Sequence, residues 1–277
     1  MGRQDSGRWE GEGRMIELNK VGVLLRDETP PHPFGELAGL LKRKGIEAVL
    51  LAWDPDPPED LDLIIAMGGD GTVLKALDVG STVPVLAINF GTVGFLTAGD
   101  RGELTTIVGR LTAGDYIVSE RLVLHCVHPT GVIRAINEVI VRTSNRFCFV
   151  DVHVDGTKIR TIQGDGVVVG TPTGSTGFLL SAGAPIVMPD VRCFILDGIH
   201  EHNFTSRTLI VPPDSDIRLS ISPQTRDPHV YLTADGRQVS DLKPGDELQI
   251  TQSETSAKLI YFEPHYFFHN LSSKLDW

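Results

Sequence analysis

Residues 61–75, LDLIIAMGGDGTVLK, decide the fold of the first part of the chain. The segment runs from the apolar stretch Leu61–Met67 through a glycine-rich turn into a helix-like pattern. A compact apolar run bounded by turn residues is typical of a strand that is buried on both faces of a parallel sheet. The order of strand, turn and helix therefore predicts an α/β fold, with Asp70 at the carboxyl end of a strand, where such sheets bind their ligands.

The glycine-rich turn has the chemistry of a phosphate site. Gly68, Gly69 and Gly71 let the backbone approach a phosphate closely, and the helix that follows presents free N–H groups at its N-terminus. The Asp70 carboxylate can accept a proton from an attacking hydroxyl or help to hold Mg²⁺. Lys75, one turn into the helix, can reach a phosphate or remain solvated. The sequence holds neither a P-loop nor a G-x-G-x-x-G fingerprint, so the phosphate cradle is of another kind.

The chain divides into two regions with different patterns of apolar and turn residues. Short apolar runs alternate with helix-like segments up to about residue 115, whereas short strands separated by turns such as Asp155-Gly156 and Asp235-Gly236 fill the region after it. We therefore predict an α/β domain followed by an all-β sandwich, and then a C-terminal helix. The predicted boundaries are 1–14 for a disordered extension, 15–115 for the α/β domain, 116–255 for the β domain and 256–277 for the C-terminal segment.

Composition limits the classes of partner. The 277 residues carry a formal net charge of −11, so the chain lacks the overall basic character of proteins that bind nucleic acid or anionic membranes, and we expect neither partner. No apolar run approaches the roughly 18 residues of a membrane span. Cys126, Cys148 and Cys193 lie far apart without a C-x-x-C pair, which favours a reduced compartment, and we predict a cytoplasmic location.

Two polar segments in the predicted β domain are candidates for ligand binding. Residues 163–186, QGDGVVVGTPTGSTGFLLSAGAPI, are rich in glycine and hydroxyl side chains that can donate to phosphates or ribose, although a tight turn before a packed helix is the alternative. The pair Asn137-Glu138 interrupts the strand-like run RAINEVIV, and alternation would turn one of the two side chains inward. On its own, such a pair is more often a satisfied pair on an edge strand.

Six stretches together resemble the NAD kinase family: GGDGTVLKA, NFGTVGFLT, NEVIV, GDGVVVGTPTGST, SAGAPIV and KLDW, in this order. The resemblance runs from about Val21 to Trp277. GGDG alone also occurs in lipid kinases and 6-phosphofructokinases. The resemblance implies a Rossmann-like N-terminal domain, an NAD-binding β-sandwich and a final helix that returns to the first domain. It also implies phosphorylation of the adenosine-ribose 2′-hydroxyl of NAD by ATP with Mg²⁺, giving NADP and ADP, in a homodimer or homotetramer.

The resemblance also implies roles for individual residues. Asp70 matches the family's proton acceptor, Asn137 and Glu138 match the pair that contacts NAD, and Asp165 matches a second ligand-binding acid. The residues that match the dinucleotide pocket are Thr176, Gly177, Phe178, Leu179, Leu180 and Ser181. His202 and Arg207 fall where the family usually has a His and an Arg. Phe178 replaces the more usual tyrosine, so a phenol hydrogen bond is lost.

Two other functions are compatible with parts of this pattern. A lipid kinase of the GGDG superfamily would share the turn, but the sequence shows no basic or amphipathic membrane patch. A non-catalytic NAD(H) sensor would keep the pocket, and an intact Asp70 favours catalysis over that function. We assign no metal ligand in the protein, because His200 and His202 do not have the H-E-x-x-H spacing of a zinc site.

Overall fold

The computed structural model describes residues 16–25, 33–53, 60–80, 82–90, 94–203 and 206–275. These residues form two compact units. The first contains the described residues of Met1–Ala76, Val83–Ser119 and Lys258–Trp277, and the second contains those of Leu77–Thr82 and Glu120–Ala257. The predicted extension, 1–14, lies outside the described residues.

The elements of the first unit are β1 (Lys20–Leu25), α1 (Phe34–Lys42), β2 (Glu47–Leu51), β3 (Leu63–Met67), α2 (Asp70–Val79), β4 (Val85–Asn89), β5 (Gly99–Asp100), α3 (Leu104–Thr112), β6 (Ile117–Arg121), β19 (Ala257–Tyr261) and α5 (Tyr266–Leu275). Three of them, α2, β6 and β19, run past the bounds of the unit by one to three residues. The strands form a seven-stranded sheet with the order β2-β1-β3-β4-β19-β6, and β5 pairs with β4. Strands β1, β3 and β4 run parallel to one another. The predicted α/β architecture is confirmed.

Local sequence signals explain why these elements begin and end where they do. All five residues of β3 are buried, as are all five of β4, which fits strands covered on both faces. The chain leaves α1 through Gly45 at φ 79°, a left-handed conformation that glycine adopts without strain. Before α3, the side chains and backbones of Asp100 and Glu103 form a capping box.

The second unit is a sandwich of two six-stranded sheets, as predicted. Its strand orders are β11-β10-β15-β18-β7-β8 and β14-β13-β12-β9-β16-β17. Its elements are β7 (Leu124–His128), β8 (Gly131–Ala135), β9 (Glu138–Thr143), β10 (Cys148–Val154), β11 (Thr157–Gly164), β12 (Gly166–Gly170), α4 (Phe178–Ser181), β13 (Phe194–Ile199), β14 (Leu209–Val211), β15 (Ile217–Ile221), β16 (Val230–Ala234), β17 (Arg237–Leu242) and β18 (Glu247–Gln252). Inward-facing residues of both sheets form one apolar core.

The run RAINEVIV is not a single strand, and this part of the prediction is wrong. Strand β8 ends at Ala135 in one sheet, and β9 begins at Glu138 in the other. Ile136 and Asn137 form a bend between them. The pair Asn137-Glu138 therefore lies where the chain crosses from one sheet of the sandwich to the other.

The C-terminal helix α5 packs on the first unit, as the resemblance implied. The side chain of Asn270 donates to the carbonyl oxygens of Phe95 at 3.1 Å and Thr97 at 3.0 Å. The ring of Tyr266 stacks on that of Tyr261 with centroids 3.4 Å apart. Among the helices described, none is long and apolar enough to span a membrane.

Candidate active site

The Asp70 carboxylate lies at the N-terminus of α2, three residues beyond the end of β3. Its Oδ2 accepts the backbone N–H of Phe95 at 3.0 Å, and its Oδ1 accepts that of Leu96 at 3.1 Å. Two hydrogen bonds of this kind fix the plane of the carboxylate. Because each oxygen accepts only one of them, lone pairs remain on both oxygens for a ligand.

Different glycines around Asp70 serve different purposes. A Cβ on Gly94 would lie 2.2 Å from Asp70 Oδ1, and one on Gly68 would lie 2.4 Å from Thr72 Oγ1, so packing requires glycine at both positions. A Cβ on Gly69 or Gly71 would meet no atom of the described residues within 4 Å, and both glycines are exposed. Packing within the described residues therefore gives no reason for glycine at 69 and 71, whereas the close approach of a phosphate does.

Asp235 holds the bend that carries Asn137 and Glu138. Its Oδ2 accepts the backbone N–H of Ile136 at 2.8 Å, and its Oδ1 accepts those of Asn137 at 2.7 Å and Glu138 at 3.3 Å. Asp235 itself lies at φ 46°, in the tight turn with Gly236 that joins β16 to β17. The sequence predicts only a turn at Asp235, and no local pattern indicates its hydrogen bonds to residues 136–138.

Glu138 is a buried acid whose Oε2 has no hydrogen-bond partner among the described residues. Burial, together with the nearby negative charge of Asp235, raises the pKa of Glu138 from 4.5 to about 8. The Oδ1 atom of Asn137 is also buried and has no partner within the described part of the chain. Buried polar atoms of this kind are rare in native proteins, and they are expected where a ligand supplies the missing partner.

The glycine- and threonine-rich loop packs directly on this pair. Thr171 donates its backbone N–H to the Asn137 carbonyl at 2.9 Å and its hydroxyl to the Ile136 carbonyl at 2.6 Å. A Cβ on Gly174 would lie 2.3 Å from the Asn137 carbonyl oxygen, and one on Gly177 would lie 3.4 Å from Asn137 Nδ2. The structure thus brings together two segments that the sequence analysis identified separately.

Residues 176–181 follow as a 3-10 turn ending at Thr176 and the short helix α4. Leu179 is fully buried in an apolar cluster with Ile140 and Val168, so its side chain packs in the core. Thr176, Gly177, Phe178 and Leu180 are half-buried, and Ser181 is exposed. Arg121, almost fully buried, donates to Thr173 Oγ1 at 3.2 Å and so holds the loop, a contact that no pattern in the sequence indicated.

Asp165 pairs with an exposed histidine. The Oδ2 atom of Asp165 lies 2.7 Å from Nδ1 of His200, which has a left-handed backbone at φ 44°. The neighbouring Glu201 side chain is buried and lies 3.4 Å from the Arg160 guanidinium, which anchors this turn. His202 and Arg207 are exposed on the segment that follows. The histidine that contacts Asp165 is His200, whereas His202, which matches the family's usual histidine, lies two residues further along the chain.

Comparison with known proteins identifies the family. The family model of the ATP-NAD kinase N-terminal domain matches residues 41–116, and that of the ATP-NAD kinase C-terminal domain matches residues 136–262. The chain is 35% identical over 243 residues to the NAD kinase of Geotalea daltonii, covering 84% of this chain and 85% of the relative. It is 34% identical to that of Syntrophotalea carbinolica, covering 94% and 99% of the two chains.

Two solved structures have the same fold. An NAD kinase from Archaeoglobus fulgidus in complex with ATP superimposes with a TM-score of 0.79 at 29% identity, covering 93% of this chain and 98% of the other. Yeast NADH kinase complexed with NADH gives a TM-score of 0.85 at 24% identity, covering 94% and 88%. Sequence relatives, family models and fold agree, and the chain belongs to the NAD kinase family.

Proposed function

We propose that this chain transfers the γ-phosphoryl group of ATP to the 2′-hydroxyl of the adenosine ribose of NAD, giving NADP and ADP. The observation that carries this proposal is the Asp70 carboxylate, which two backbone N–H groups fix beside two exposed glycines. Phosphoryl transfer depends mainly on positioning and on neutralisation of charge, so a fixed carboxylate beside a phosphate-binding turn is the expected arrangement.

Asp70 acts as the proton acceptor in this proposal. The 2′-hydroxyl must lose its proton as its oxygen attacks the γ-phosphorus, and a carboxylate within hydrogen-bond reach can take it. The hydrogen bonds from Phe95 and Leu96 hold the carboxylate in one orientation throughout the reaction. Gly69, Gly71 and the N-terminus of α2 receive phosphate oxygens, and Lys75, half-buried on the same helix, adds positive charge nearby.

The second unit binds NAD in this proposal. Asn137 and Glu138 each offer a buried polar atom that has no hydrogen-bond partner in the described part of the chain, and the loop that ends at Thr176 packs beside them. Asp165 adds a carboxylate at the end of β11, which suits a ribose hydroxyl. The bound NADH in the yeast relative and the bound ATP in the Archaeoglobus relative support a site for each substrate type.

Magnesium fits this site as a companion of ATP. Within the described ranges, no three His, Cys, Asp or Glu side chains cluster closely enough to hold a metal ion by themselves. Mg²⁺ is usually bound through one or two carboxylates, several waters and the substrate's phosphates, a set to which Asp70 can contribute an oxygen. When bound, the ion neutralises charge on the β- and γ-phosphates. Assembly as a homodimer or homotetramer and a cytoplasmic location stay predictions.

A direct assay tests the proposal. The purified chain is incubated with ATP, Mg²⁺ and NAD, and NADP is measured with an NADP-specific dehydrogenase. Formation of NADP that depends on both ATP and NAD supports the proposal. Binding of NAD without formation of NADP would instead favour a non-catalytic NAD(H) sensor, and phosphorylation of a lipid in place of NAD would favour the lipid kinase.

A further inference from the structure

The bend between β8 and β9 depends on Asp235. Here the chain leaves one sheet of the sandwich and enters the other, which takes the N–H groups of residues 136–138 out of the regular ladder of β8. Asp235 accepts all three N–H groups, and its own N–H donates back to the Glu138 carbonyl at 3.1 Å. One carboxylate therefore determines the path of the backbone that carries Asn137 and Glu138.

The same carboxylate is the charged group that acts most strongly on the Glu138 side chain. The loop of residues 170–177 that packs against Glu138 contains no titratable side chain, and Asn137 is neutral. Arg121 bonds to this loop through Thr173. Burial raises the pKa of Asp235, and its hydrogen bonds to residues 136–138 and the nearby Arg237 oppose that rise. Burial and the Asp235 charge together raise the pKa of Glu138 to about 8. A neutral Glu138 carries a hydrogen that Oε2 can donate.

A second aspartate at the opposite end of β9 provides a matched comparison. Asp227 Oδ2 accepts the hydroxyl of Thr143 at 2.5 Å and the backbone N–H groups of Asn145 at 3.0 Å and Arg146 at 2.6 Å. Asp227 and Asp235 thus hold the two ends of one strand by the same chemistry. Asp235 lies at the end of β9 where, among the described residues, the buried polar atoms of Asn137 and Glu138 have no hydrogen-bond partner, whereas Asp227 lies at the other end.

We propose that Asp235 is a positioning residue for the reaction: its three hydrogen bonds to backbone N–H groups hold the segment that presents Asn137 and Glu138 to NAD. Burial disfavours the ionised form of Glu138, and the neighbouring Asp235 carboxylate adds to this effect, so Glu138 stays in the acid form and donates a hydrogen bond to NAD. This inference rests on the proposed function. If Asp235 had only a structural role, its loss would lower the stability of the fold. In this proposal, Asp235 sets both the affinity for NAD and the pH above which that affinity falls.

The kinetic test compares Asp235→Asn with Asp227→Asn. For Asp235→Asn we expect the KM for NAD at pH 7.5 to rise by about tenfold, the loss that corresponds to one hydrogen bond, with kcat and the KM for ATP within about threefold. Asp227→Asn should lower Tm but leave the KM for NAD unchanged. Equal effects of the two substitutions on the KM for NAD would overturn the proposal.

A second measurement does not depend on turnover. The protein is labelled with ¹³C at the glutamate carboxyl carbons, and the NMR signal of Glu138 is identified because it is missing from the spectrum of Glu138→Gln. This signal should titrate near pH 8 in the wild-type protein. It should titrate at lower pH in Asp235→Asn. The Kd for NAD of the wild-type protein should rise between pH 7 and pH 9, whereas that of Glu138→Gln, whose amide cannot ionise, should not change with pH over this range. Titration of wild-type Glu138 near pH 4.5 would overturn the proposal, even if Asp235→Asn does not fold. Failure of the wild-type protein to form NADP would instead overturn the proposed function.

Discussion

The Asp70 carboxylate leaves no room for a side chain at Gly94, because a Cβ there would lie 2.2 Å from Asp70 Oδ1. Gly94 therefore belongs to the site, although its own atoms supply no reactive group. A Gly94→Ala chain should retain its fold but displace the carboxylate from its two N–H donors. We expect kcat to fall by about a hundredfold, as observed when a reacting group is displaced by roughly 1 Å.

Gly109→Ala is the matched control for this substitution. Gly109 lies in helix α3, where a Cβ would meet nothing within 4 Å. Alanine there should increase the free energy of unfolding by about 0.5–1 kcal/mol and leave turnover unchanged. The test is the kcat of the two variants from steady-state kinetics. Equal kcat values would show that the close contact at Gly94 does not determine the position of the Asp70 carboxylate.

Gly71 tests whether the exposed part of the turn receives phosphate. Since a Cβ at Gly71 meets no atom of the described chain and the residue lies in the first turn of α2, Gly71→Ala should be neutral or slightly stabilising. If phosphate approaches this backbone, the same change should raise the KM for ATP by about tenfold or more. If the KM for ATP and the Tm are both unchanged, Gly71 does not contact the phosphates of ATP.

Glu138 gives the stability of the protein a specific dependence on pH. Its pKa is about 8 in the folded chain and near 4.5 in the unfolded chain, so between these values the folded state holds a proton that the unfolded state has released. The contribution of Glu138 to stability is therefore complete below about pH 4.5 and is lost as the pH rises through 8. Glutamine cannot ionise and should not show this loss.

Glu138→Gln should accordingly be more stable than the wild type at pH 8.5, by about 1–3 kcal/mol. The difference between the two proteins should shrink towards pH 5. Denaturant unfolding at several pH values measures it directly. Parallel curves for the two proteins over this range would show that Glu138 ionises in the folded chain as it does in water.

The sequence predicted those parts of the fold that depend on neighbouring residues. The strand, turn and helix of residues 61–75 appear as β3, the exposed glycines and α2, because burial pattern, glycine and helix start lie within fifteen residues. The turns at Asp155-Gly156 and Asp235-Gly236 were predicted for the same reason, and both aspartates have the left-handed backbone of tight turns. Local chemistry is sufficient at each of these positions.

The parts that the sequence did not predict depend on residues far apart in the chain. The break in RAINEVIV requires Asp235, which is 98 residues from Asn137, and no local pattern distinguishes it from a continuous strand. The pairing of His200 with Asp165 spans 35 residues in the same way. Strands β11 and β17 have no continuous apolar run and in part face solvent, so the sequence carries no clear local signal for them.

The kinetics of Asp70→Asn test the central claim most directly, with Asp60→Asn as control. Asp60 precedes β3, is 72% exposed and pairs with Lys20, whereas Asp70 follows the same strand at its other end. We predict that Asp70→Asn lowers kcat by about a thousandfold while the Kd for NAD changes less than about threefold, and that Asp60→Asn behaves as the wild type. Near-normal turnover by Asp70→Asn would contradict the assignment of Asp70 as the proton acceptor.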